Sequence, residues 1–478
     1  MKHRILVLFI SILLSCGLYA QKEMNWWFFG YNAGLNFNQT QTVAGTPNMP
    51  TPVNGPISTS EGCFTLSDMD GNLLMSSDGS TVYNSLNQVM ENGTGLKGHA
   101  SATQSGIVVP HPSNLYQYYI ITVPCRVNNP GNGINYSIVD FSENGGLGKV
   151  IEKNTSILSG NVSEDIAAIA HSNKRDFWLV HRDRNKFYVW GITPAGISAP
   201  SIYTVGSNET VLTAGYTKFS ADGKILLSVI HERRQVVSAD FDPSTGIISD
   251  IRVNTNIQAA NAYSIEISPS KEWVYLGVWS GHLYKIKYSD LRANLAPTQT
   301  TYNINTLQVG PDRRIYGTLG GSKNLYVIMD PDNGGTDIRT FNNYLTNDSR
   351  FGLPTFAASW LYDIKINGET QPCLYAGPQT YTLEIVYTGL SSEYEDLRYF
   401  EWNWGDGSPI EKDYGIASGT IQSHQHQYRD SREYRLEVTA FKESTPGVFT
   451  PIVDFSNSLV IKPSRCVMPV NPNIHLME

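Results

Sequence analysis

The chain has 478 residues, enough for two to four domains at about 150 residues each, so a single small core is excluded. Charged residues make up only 16% of the sequence, while Gly (41), Pro (24) and Tyr (27) are plentiful, a balance typical of strands joined by tight turns. The formal net charge is −8 and no cluster of Lys and Arg interrupts it, so nucleic acid and anionic lipid are excluded as favoured partners.

Residues 1–20 have the three parts of a secretory signal peptide. Lys2 and Arg4 precede an apolar run, and small residues end at Ala20. We therefore expect an exported protein in the periplasm, at the outer-membrane surface or outside the cell. Two routes remain open, cleavage after Ala20 or lipidation of Cys16, whose neighbours resemble a lipobox. No second long apolar run follows, so we expect no transmembrane segment after removal of the leader.

One motif then recurs six times. It is a turn of Asp, Asn or Ser with Gly or a basic residue, followed by alternating aromatic and aliphatic residues. The copies start at residues 66, 110, 170, 219, 267 and 309. Their spacing of 42 to 60 residues matches the length of a four-stranded β-propeller blade. One such unit cannot bury both of its faces alone, so the repeat predicts blades stacked around an axis.

Two apolar segments, residues 25–37 and 352–361, flank the repeats. We expect them to share one blade and to close a ring of about seven blades, which leaves neither end as an exposed edge. Large aromatic residues of the repeats and flanks are expected in the core between blades. They are Trp26, Trp27, Phe28, Phe29, Trp178, Trp273 and Trp360.

After Trp360 the pattern changes to short alternating runs over about ninety residues, the size and pattern of a β-sandwich. The predicted fold class is all-β. An N-terminal β-propeller spans residues 21–365, an immunoglobulin-like β-sandwich spans residues 366–465, and a tail covers residues 466–478. The linker is expected near residues 366–372, where Asn-Gly and Gln-Pro break the strand signals.

The sandwich region resembles the PKD domain. Its carriers are Phe400-Glu-Trp-Asn-Trp-Gly-Asp-Gly-Ser408, then His426-Gln-Tyr428, then Tyr434-Arg-Leu-Glu-Val-Thr439. The resemblance implies an immunoglobulin-like module that serves adhesion or spacing. We expect both indoles to fill the core and the turn carboxylate to accept backbone N–H groups. The motif residues are Trp402, Trp404, Gly405, Asp406, Gly407, His426, Tyr428 and Tyr434.

The repeat region resembles exported propeller proteins of Bacteroidetes-type bacteria, a group often joined to PKD modules and linked to gliding motility and type IX secretion. This resemblance implies a role at the cell envelope or surface. It rests on short segments spread over the region. They are residues 25–30, 61–62, 67–74, 90–98, 136–140 and 240–246.

Four cysteines remain after export, and an even number in an oxidising compartment favours disulfides. Cys373 and Cys466 bracket the sandwich, so we predict a bridge between them. Cys63 and Cys125 lie in separate strand-like runs, and their pairing is left open. None has the CxxC spacing of a zinc or redox site.

The sequence shows no Gly-x-Ser-x-Gly, no HExxH and no assembled arginine triad of a sialidase. His424 and His426 are two residues apart on one face of a predicted strand, a spacing that can hold a metal. His426, however, belongs to the PKD element. We therefore predict neither a metal site nor a cofactor.

Propeller ligands bind at the mouth of the central channel, where loops from several blades converge. Polar residues that border strands in the propeller are the candidates for this site, with turns and inter-blade hydrogen bonds as the alternative role. These candidates are Glu61, His99, Ser101, Gln104, Glu164 and Asp165.

We expect noncovalent recognition of an envelope or surface protein, or of a glycan, and lean against catalysis. Two alternatives stay open. A polysaccharide hydrolase or lyase requires a pair of carboxylates about 5 to 10 Å apart at one channel mouth. An accessory component of a secretion or gliding apparatus requires a large exposed apolar patch.

Overall fold

The computed structural model describes most of the chain after the leader. The described residues are 22–68, 71–114, 116–127, 131–173, 175–206, 209–257, 261–279, 281–358, 364–367, 374, 377–385, 397–414 and 420–463. Several sequence-based predictions concern residues outside these ranges. They are the leader with Cys16, the placement of Trp360, the Cys373–Cys466 bridge and the tail 466–478.

The first sheet has three antiparallel strands, β1 (Trp26–Phe29), β2 (Tyr31–Val43) and β3 (Thr46–Ser58). The last three residues of β1, Trp27, Phe28 and Phe29, are fully buried. Large aromatic side chains contribute much of the area that a sheet hides from water, so this strand lies in the core.

Six units of four or five strands follow, each antiparallel within itself. The outer strands of the first two units also pair in parallel, with Lys149 opposite Glu91, so these two units form one continuous eight-stranded sheet. The first two are β4 (Phe64–Ser67), β5 (Leu73–Ser77), β6 (Thr81–Asn84) and β7 (Val89–Thr94), then β8 (Gly106–Pro110), β9 (Gln117–Thr122), β10 (Ile134–Asp140) and β11 (Lys149–Leu158). The third is β12 (Ala167–Ala170), β13 (Phe177–Asp183), β14 (Lys186–Thr193), β15 (Gly196–Ile197) and β16 (Ser201–Thr204). The fourth is β17 (Thr217–Phe219), β18 (Ile225–Ile230), β19 (Gln235–Asp242) and β20 (Ile247–Asn254). The last two are β21 (Ala262–Ile267), β22 (Trp273–Val278), β23 (His282–Lys287) and β24 (Thr298–Asn303), then β25 (Thr306–Val309), β26 (Ile315–Thr318), β27 (Leu325–Ile328) and β28 (Ile338–Phe341).

Helical segments among the described residues are short. The α-helix α1 spans Tyr288–Arg292, and single 3-10 turns lie at Lys22–Met24, Asn144–Gly146, His231–Arg233 and Pro331–Asn333. No helix in the described part of the chain has the length and apolar character needed to cross a membrane.

Each of the six sequence repeats starts at the last or next-to-last residue of the first strand of one unit. The copy at residue 219, for example, starts where β17 ends and continues through a turn into β18. Gly223 in that turn has a φ of +73°, a conformation that glycine adopts without a steric penalty. All six residues of β18 are buried, because a propeller blade is covered by a neighbouring blade on both faces.

The first strands of successive units pack side by side around an axis, in the order β4, β8, β12, β17, β21 and β25, and β1 contacts β4. Together with the first sheet, these units make seven blades in the described residues. Because neighbouring strands are antiparallel, the segments entering each first strand and the hairpins between second and third strands lie on the same face. We call this face the entry face.

The ring closes where its two chain ends meet. Phe351 N–H donates to Ser60 O at 3.0 Å, and Thr355 N–H donates to Cys63 O at 2.9 Å. The rings of Trp27 and Phe356 lie 6.0 Å apart between their centroids. In the described part of the chain, the two flanking segments thus meet beside the first blade.

The second domain is an immunoglobulin-like β-sandwich of two antiparallel sheets. One contains β29 (Ile364–Asn367), β30 (Gln379–Ile385) and β33 (Thr420–His426). The other contains β31 (Leu397–Asn403), β32 (Glu411–Tyr414), β34 (Tyr434–Thr445) and β35 (Val448–Ile461). Side chains from both sheets, including Tyr381, Trp402 and Trp404, form one buried core. The predicted all-β class, a propeller of about seven blades followed by a sandwich, is confirmed.

The domain boundary needs a correction. The sequence placed the start of the sandwich at residue 366 and the linker over residues 366–372. In the structure, β29 already pairs with β30, with Ile364 opposite Ile385 and Asn367 opposite Thr382. The Asn-Gly signal therefore follows the first sandwich strand and does not precede it.

Trp27 provides a test of the ring closure. Its side chain is fully buried, its indole N–H donates to Met24 O at 2.8 Å, and it contacts Phe356. We expect Trp27→Ala to lower the free energy of unfolding by about 3 to 5 kcal/mol. Leu86→Ala, at a 60% exposed position, is the control and should change it by less than about 0.5 kcal/mol. Urea unfolding measures both, and equal midpoints for Trp27→Ala and the wild type would contradict this account of closure.

Candidate functional site

A cavity of about 300 Å³ opens on the entry face of the propeller. Its lining comes from five consecutive blades. The lining residues lie in segments that lead into first strands, at the start of a first strand, or at hairpins between second and third strands. The lining residues are Glu61, Ser101, Cys125, Arg126, Val127, Glu164, Ala214, His231, Tyr263 and Trp279.

Glu61 lies in the segment that leads into β4. Its backbone N–H donates to Ala100 O at 2.9 Å, which ties this segment to the next blade. Gly352, from the closing end of the ring, packs so tightly here that a Cβ atom on it would lie 1.8 Å from Glu61 O. The ring closure thus fixes the backbone that carries this carboxylate.

The Glu61 carboxylate is partly buried and shares a short hydrogen bond with an aromatic hydroxyl. Tyr263 OH donates to Glu61 Oε2 at 2.5 Å. Burial raises the pKa of Glu61 from its ordinary value of 4.5 to about 7, and the negative charge of Glu164 adds to this rise. The Tyr263 hydrogen bond and the charge of Arg126 oppose it without cancelling it. Glu61 therefore exchanges a proton near neutral pH.

Glu164, in the segment that leads into β12, has both of its carboxylate oxygens in hydrogen bonds. Oε2 accepts from Thr103 N–H at 3.1 Å and from the Thr103 hydroxyl at 3.2 Å, and Oε1 accepts from Arg126 N–H at 2.9 Å. Its side chain is only 4% exposed. These donors hold the carboxylate in one orientation.

Arg126 is the one Lys or Arg among the lining residues, and its guanidinium is already occupied. Nη1 donates to Leu212 O at 3.1 Å, Nη2 pairs with Glu232, and Nε lies 3.6 Å from Glu164 Oε1. The guanidinium thus bridges two blades at the cavity rim.

Aromatic rings make the remaining wall. The rings of Tyr263 and Trp279 meet edge to face at 4.9 Å, and His231 lies 5.4 Å from Tyr263 and 6.0 Å from Trp279. Behind Trp279, Phe351 stacks in parallel at 4.0 Å. Stacking against Phe351 and the edge contact with Tyr263 restrain the indole, so the wall is preformed.

The structure brings three of the six predicted site residues, Glu61, Ser101 and Glu164, into this cavity. His99 is not part of the lining, and its Nδ1 accepts the Ser101 backbone N–H at 3.0 Å. It therefore supports the loop that carries Ser101.

Gln104 does not line the cavity, contrary to the sequence-based expectation. It is buried, and its Oε1 accepts backbone N–H groups of Ile166 at 3.2 Å and Thr217 at 2.9 Å, while its Nε2 donates to Thr217 O at 3.3 Å. Its amide thus joins three blades, because buried backbone groups between blades need polar partners.

Asp165 is also absent from the lining, which corrects its placement at the channel mouth. It is fully buried, Oδ1 accepts Arg182 N–H at 2.8 Å, and Oδ1 lies 3.6 Å from His181 Nδ1. Burial alone would raise the pKa of Asp165, but His181 and Arg182 lower it overall. A buried carboxylate needs such partners, and Asp165 finds them in His181 and Arg182, outside the cavity lining.

Sequence reasoning missed Arg126, His231, Tyr263 and Trp279. The repeat pattern nevertheless carries a signal for two of them. His231 and Trp279 each follow directly after the second strand of their blade, β18 and β22. Equivalent positions in a propeller repeat point to the same face, so comparison of the copies indicates both residues.

Cys63 is a free thiol in the core, so the Cys63–Cys125 pairing that the sequence left open is not formed. Cys63 leads into β4 and packs with the inter-blade core, while Cys125 follows β9 and lines the cavity. Burial raises the pKa of the Cys63 thiol, which makes it a poor nucleophile.

The histidine pair of the sandwich is engaged in carboxylate contacts. His424 Nε2 lies 3.0 Å from Asp413 Oδ1, and His426 Nε2 lies 2.9 Å from Asp406 Oδ2. His426 also stacks on Trp404 at 4.3 Å. Across the described ranges, no group of three or more His, Cys, Asp or Glu side chains is arranged to hold a metal ion.

Comparison with known proteins gives only distant structural similarity. No protein-family model matches the sequence, and no curated protein is similar to it. A crystal structure of a protein from Lactobacillus plantarum is 12% identical, with a TM-score of 0.44, over 69% of this chain and 98% of that one. A protein described as a putative 6-phosphogluconolactonase from Bacteroides uniformis is 14% identical, with a TM-score of 0.36, over 77% of this chain and 100% of that one. Similarity at this level supports no inference about ligand or activity.

The raised pKa of Glu61 predicts a specific pH dependence of stability. The folded protein holds this proton more tightly than the unfolded chain, so stability falls as pH rises from about 4.5 to about 7, by up to about 3 kcal/mol. Glu61→Gln removes this effect.

We expect the free energy of unfolding of Glu61→Gln, relative to the wild type, to increase with pH across that window. Urea unfolding at a series of pH values measures it, with Glu272→Gln, at an exposed position, as the control that keeps the wild-type profile. A difference between Glu61→Gln and the wild type that does not change with pH would show that Glu61 ionises normally.

Proposed function

We propose that the protein is a non-catalytic binding protein whose propeller holds a small polar ligand, or the polar end of a larger envelope or surface molecule. The observation that carries this proposal is the entry-face cavity. It combines a partly buried carboxylate, Glu61, with a restrained indole, Trp279, in a space of about 300 Å³.

The size of the cavity favours a compact ligand. Ligand pockets commonly enclose about 300 to 1,000 Å³, so this one is at the small end of the range. It admits one small unit, such as a sugar residue or a single side chain, and not a folded surface. Recognition of a glycan or of a protein would therefore proceed through one terminal group.

Catalysis on a polysaccharide is the second candidate, and one observation favours it. Glu61 and Glu164 line the same cavity and interact electrostatically, and the pKa of Glu61 near 7 suits a proton donor at neutral pH. The second carboxylate argues against this role. Thr103 and Arg126 donate to both oxygens of Glu164, which gives this carboxylate a structural role at the contact between blades.

We further propose that the sandwich is a PKD module that acts as a spacer or adhesion element. In support, Trp402 and Trp404 are buried in its core, Asp406 Oδ1 accepts Ser408 N–H at 2.9 Å in the turn, and Tyr428 OH donates to Trp404 O at 3.1 Å. Export to the periplasm, the outer-membrane surface or the medium, and an accessory role in type IX secretion or gliding, remain proposals that rest on the sequence resemblance.

Two tryptophans of one blade test the binding proposal. Trp279 follows the end of β22 and lines the cavity, whereas Trp273 begins the same strand at the opposite face. The purified protein is screened by thermal shift and calorimetry against a panel of sugars, oligosaccharides, amino acids and small amines. We expect a ligand whose affinity falls about tenfold or more in Trp279→Ala and stays within about twofold in Trp273→Ala.

Two outcomes would contradict the proposal. If no class of compound binds the wild type, or if Trp273→Ala and Trp279→Ala weaken binding equally, the cavity is not the binding site. If a bound oligosaccharide is shortened with time, and Glu61→Gln stops the shortening, the protein is a glycan-cleaving enzyme.

A further inference from the structure

Arg126 is the one Lys or Arg that lines the cavity, and each nitrogen of its guanidinium already contacts a protein oxygen. The Arg126 guanidinium contacts Leu212 O, Glu232 and Glu164. Two carboxylates thus share a single guanidinium, which leaves no positive charge for a third. Glu61 is that third carboxylate.

Glu61 has no ion-pair partner within 4 Å among the described residues, and the charge of Arg126 acts on it more weakly than burial does. Among the contacts of the described residues, Oε2 accepts the Tyr263 hydroxyl, while no hydrogen bond or ion pair involves Oε1. A partly buried carboxylate without a close cation is unfavourable, since desolvation is not fully repaid by attraction. The rise in the pKa of Glu61 to about 7 has this cause, and a bound cation would reverse it.

His231 adds a second acceptor. Its Nδ1 lies 3.1 Å from Ala262 O, and because a carbonyl oxygen only accepts, Nδ1 carries the proton. In the neutral ring, Nε2 then presents a lone pair. Glu61 and His231 therefore both present acceptors to the cavity, and the Ser101 hydroxyl can accept as well as donate, so a ligand that supplies donors is complementary.

Aromatic faces complete the environment. Trp279 and Tyr263 line the cavity at right angles to each other, with ring centroids 4.9 Å apart. The negative face of an indole attracts cations, and Trp is the strongest of the aromatic side chains in this respect. The overall formal charge of −8 adds a negative electrostatic potential, which also attracts cations.

From this geometry we infer that the cavity takes a cationic amine, an ammonium group bound between the Glu61 carboxylate and the Trp279 indole. The inference rests on the proposed binding function and names its ligand class. An anionic ligand would face Glu61 and Glu164 without a free cation. A neutral polyol would leave the Glu61 charge uncompensated.

The inference predicts how binding changes with pH. The charged or titratable groups around the ammonium position are Glu61, Glu164, Arg126, His231, Tyr263 and the thiol of Cys125, with Glu232 behind Arg126. Of these, Glu61 changes charge near pH 7, and only its ionised form attracts a cation. Affinity for an amine should therefore rise as pH increases through about 7.

Matched probes test the charge requirement directly. Calorimetry on the full-length protein compares choline with its uncharged carbon isostere, 3,3-dimethylbutan-1-ol, and glucosamine with glucose. We expect at least one cation to bind about tenfold or more tightly than its neutral counterpart. Glu61→Gln should abolish this preference, while Glu272→Gln, at an exposed position, should retain it. Trp279→Leu provides a second variant and should weaken the cation more than the neutral probe.

Each outcome has a distinct meaning. A neutral probe that binds as tightly as its cation, or a cation preference that survives in Glu61→Gln, overturns the ammonium inference and leaves the binding proposal intact. Absence of binding by either cation at millimolar concentration also overturns it. Failure of the broader proposal is seen separately, when no compound of the sugar and amino-acid panel binds.

Discussion

A belt of backbone hydrogen bonds between the entry segments of successive blades is the constraint on which the site depends. Glu61 N–H donates to Ala100 O, Gln104 N–H to Glu164 O, Glu164 N–H to Thr213 O and Tyr216 N–H to Tyr263 O. The closing bond runs from Phe351 N–H to Ser60 O. Because three of the bonded residues, Glu61, Glu164 and Tyr263, themselves line the cavity, the belt sets the cavity together with the ring.

The belt also explains why polar residues near the axis have two different roles. Gln104 and Asp165 lie at the interfaces between blades, where buried backbone and charged groups must be paired. Glu61 and Glu164 line the cavity instead. Glu164 keeps the belt in place through Thr103 and Arg126, while Glu61 has one carboxylate oxygen without such a partner. Ligand recognition is therefore assigned to Glu61, the cavity carboxylate that keeps one oxygen without a hydrogen-bond partner among the described residues.

Much of the fold could be predicted from the chain because blades are local. A turn such as Ser220-Ala-Asp-Gly223 and the strand after it repeat at blade spacing, and period-two alternation marks the sandwich strands. The predicted boundary was wrong because the Asn-Gly pair was interpreted as a linker. In the structure this pair ends the strand Ile364–Asn367, which pairs with β30. Local turn chemistry does not reveal the partner of a short strand.

The candidate site was only partly predictable. Glu61, Ser101 and Glu164 were indicated by their positions before first strands, yet Tyr263 and Trp279, about 200 residues from Glu61 in the sequence, were not. The sequence by itself determined an all-β chain of propeller repeats and a sandwich, because alternation and turn residues act over a few positions. Only the tertiary structure decided which cavity carboxylate has no close ion pair within the described part of the chain, since that depends on contacts that form when distant blades meet in the closed ring.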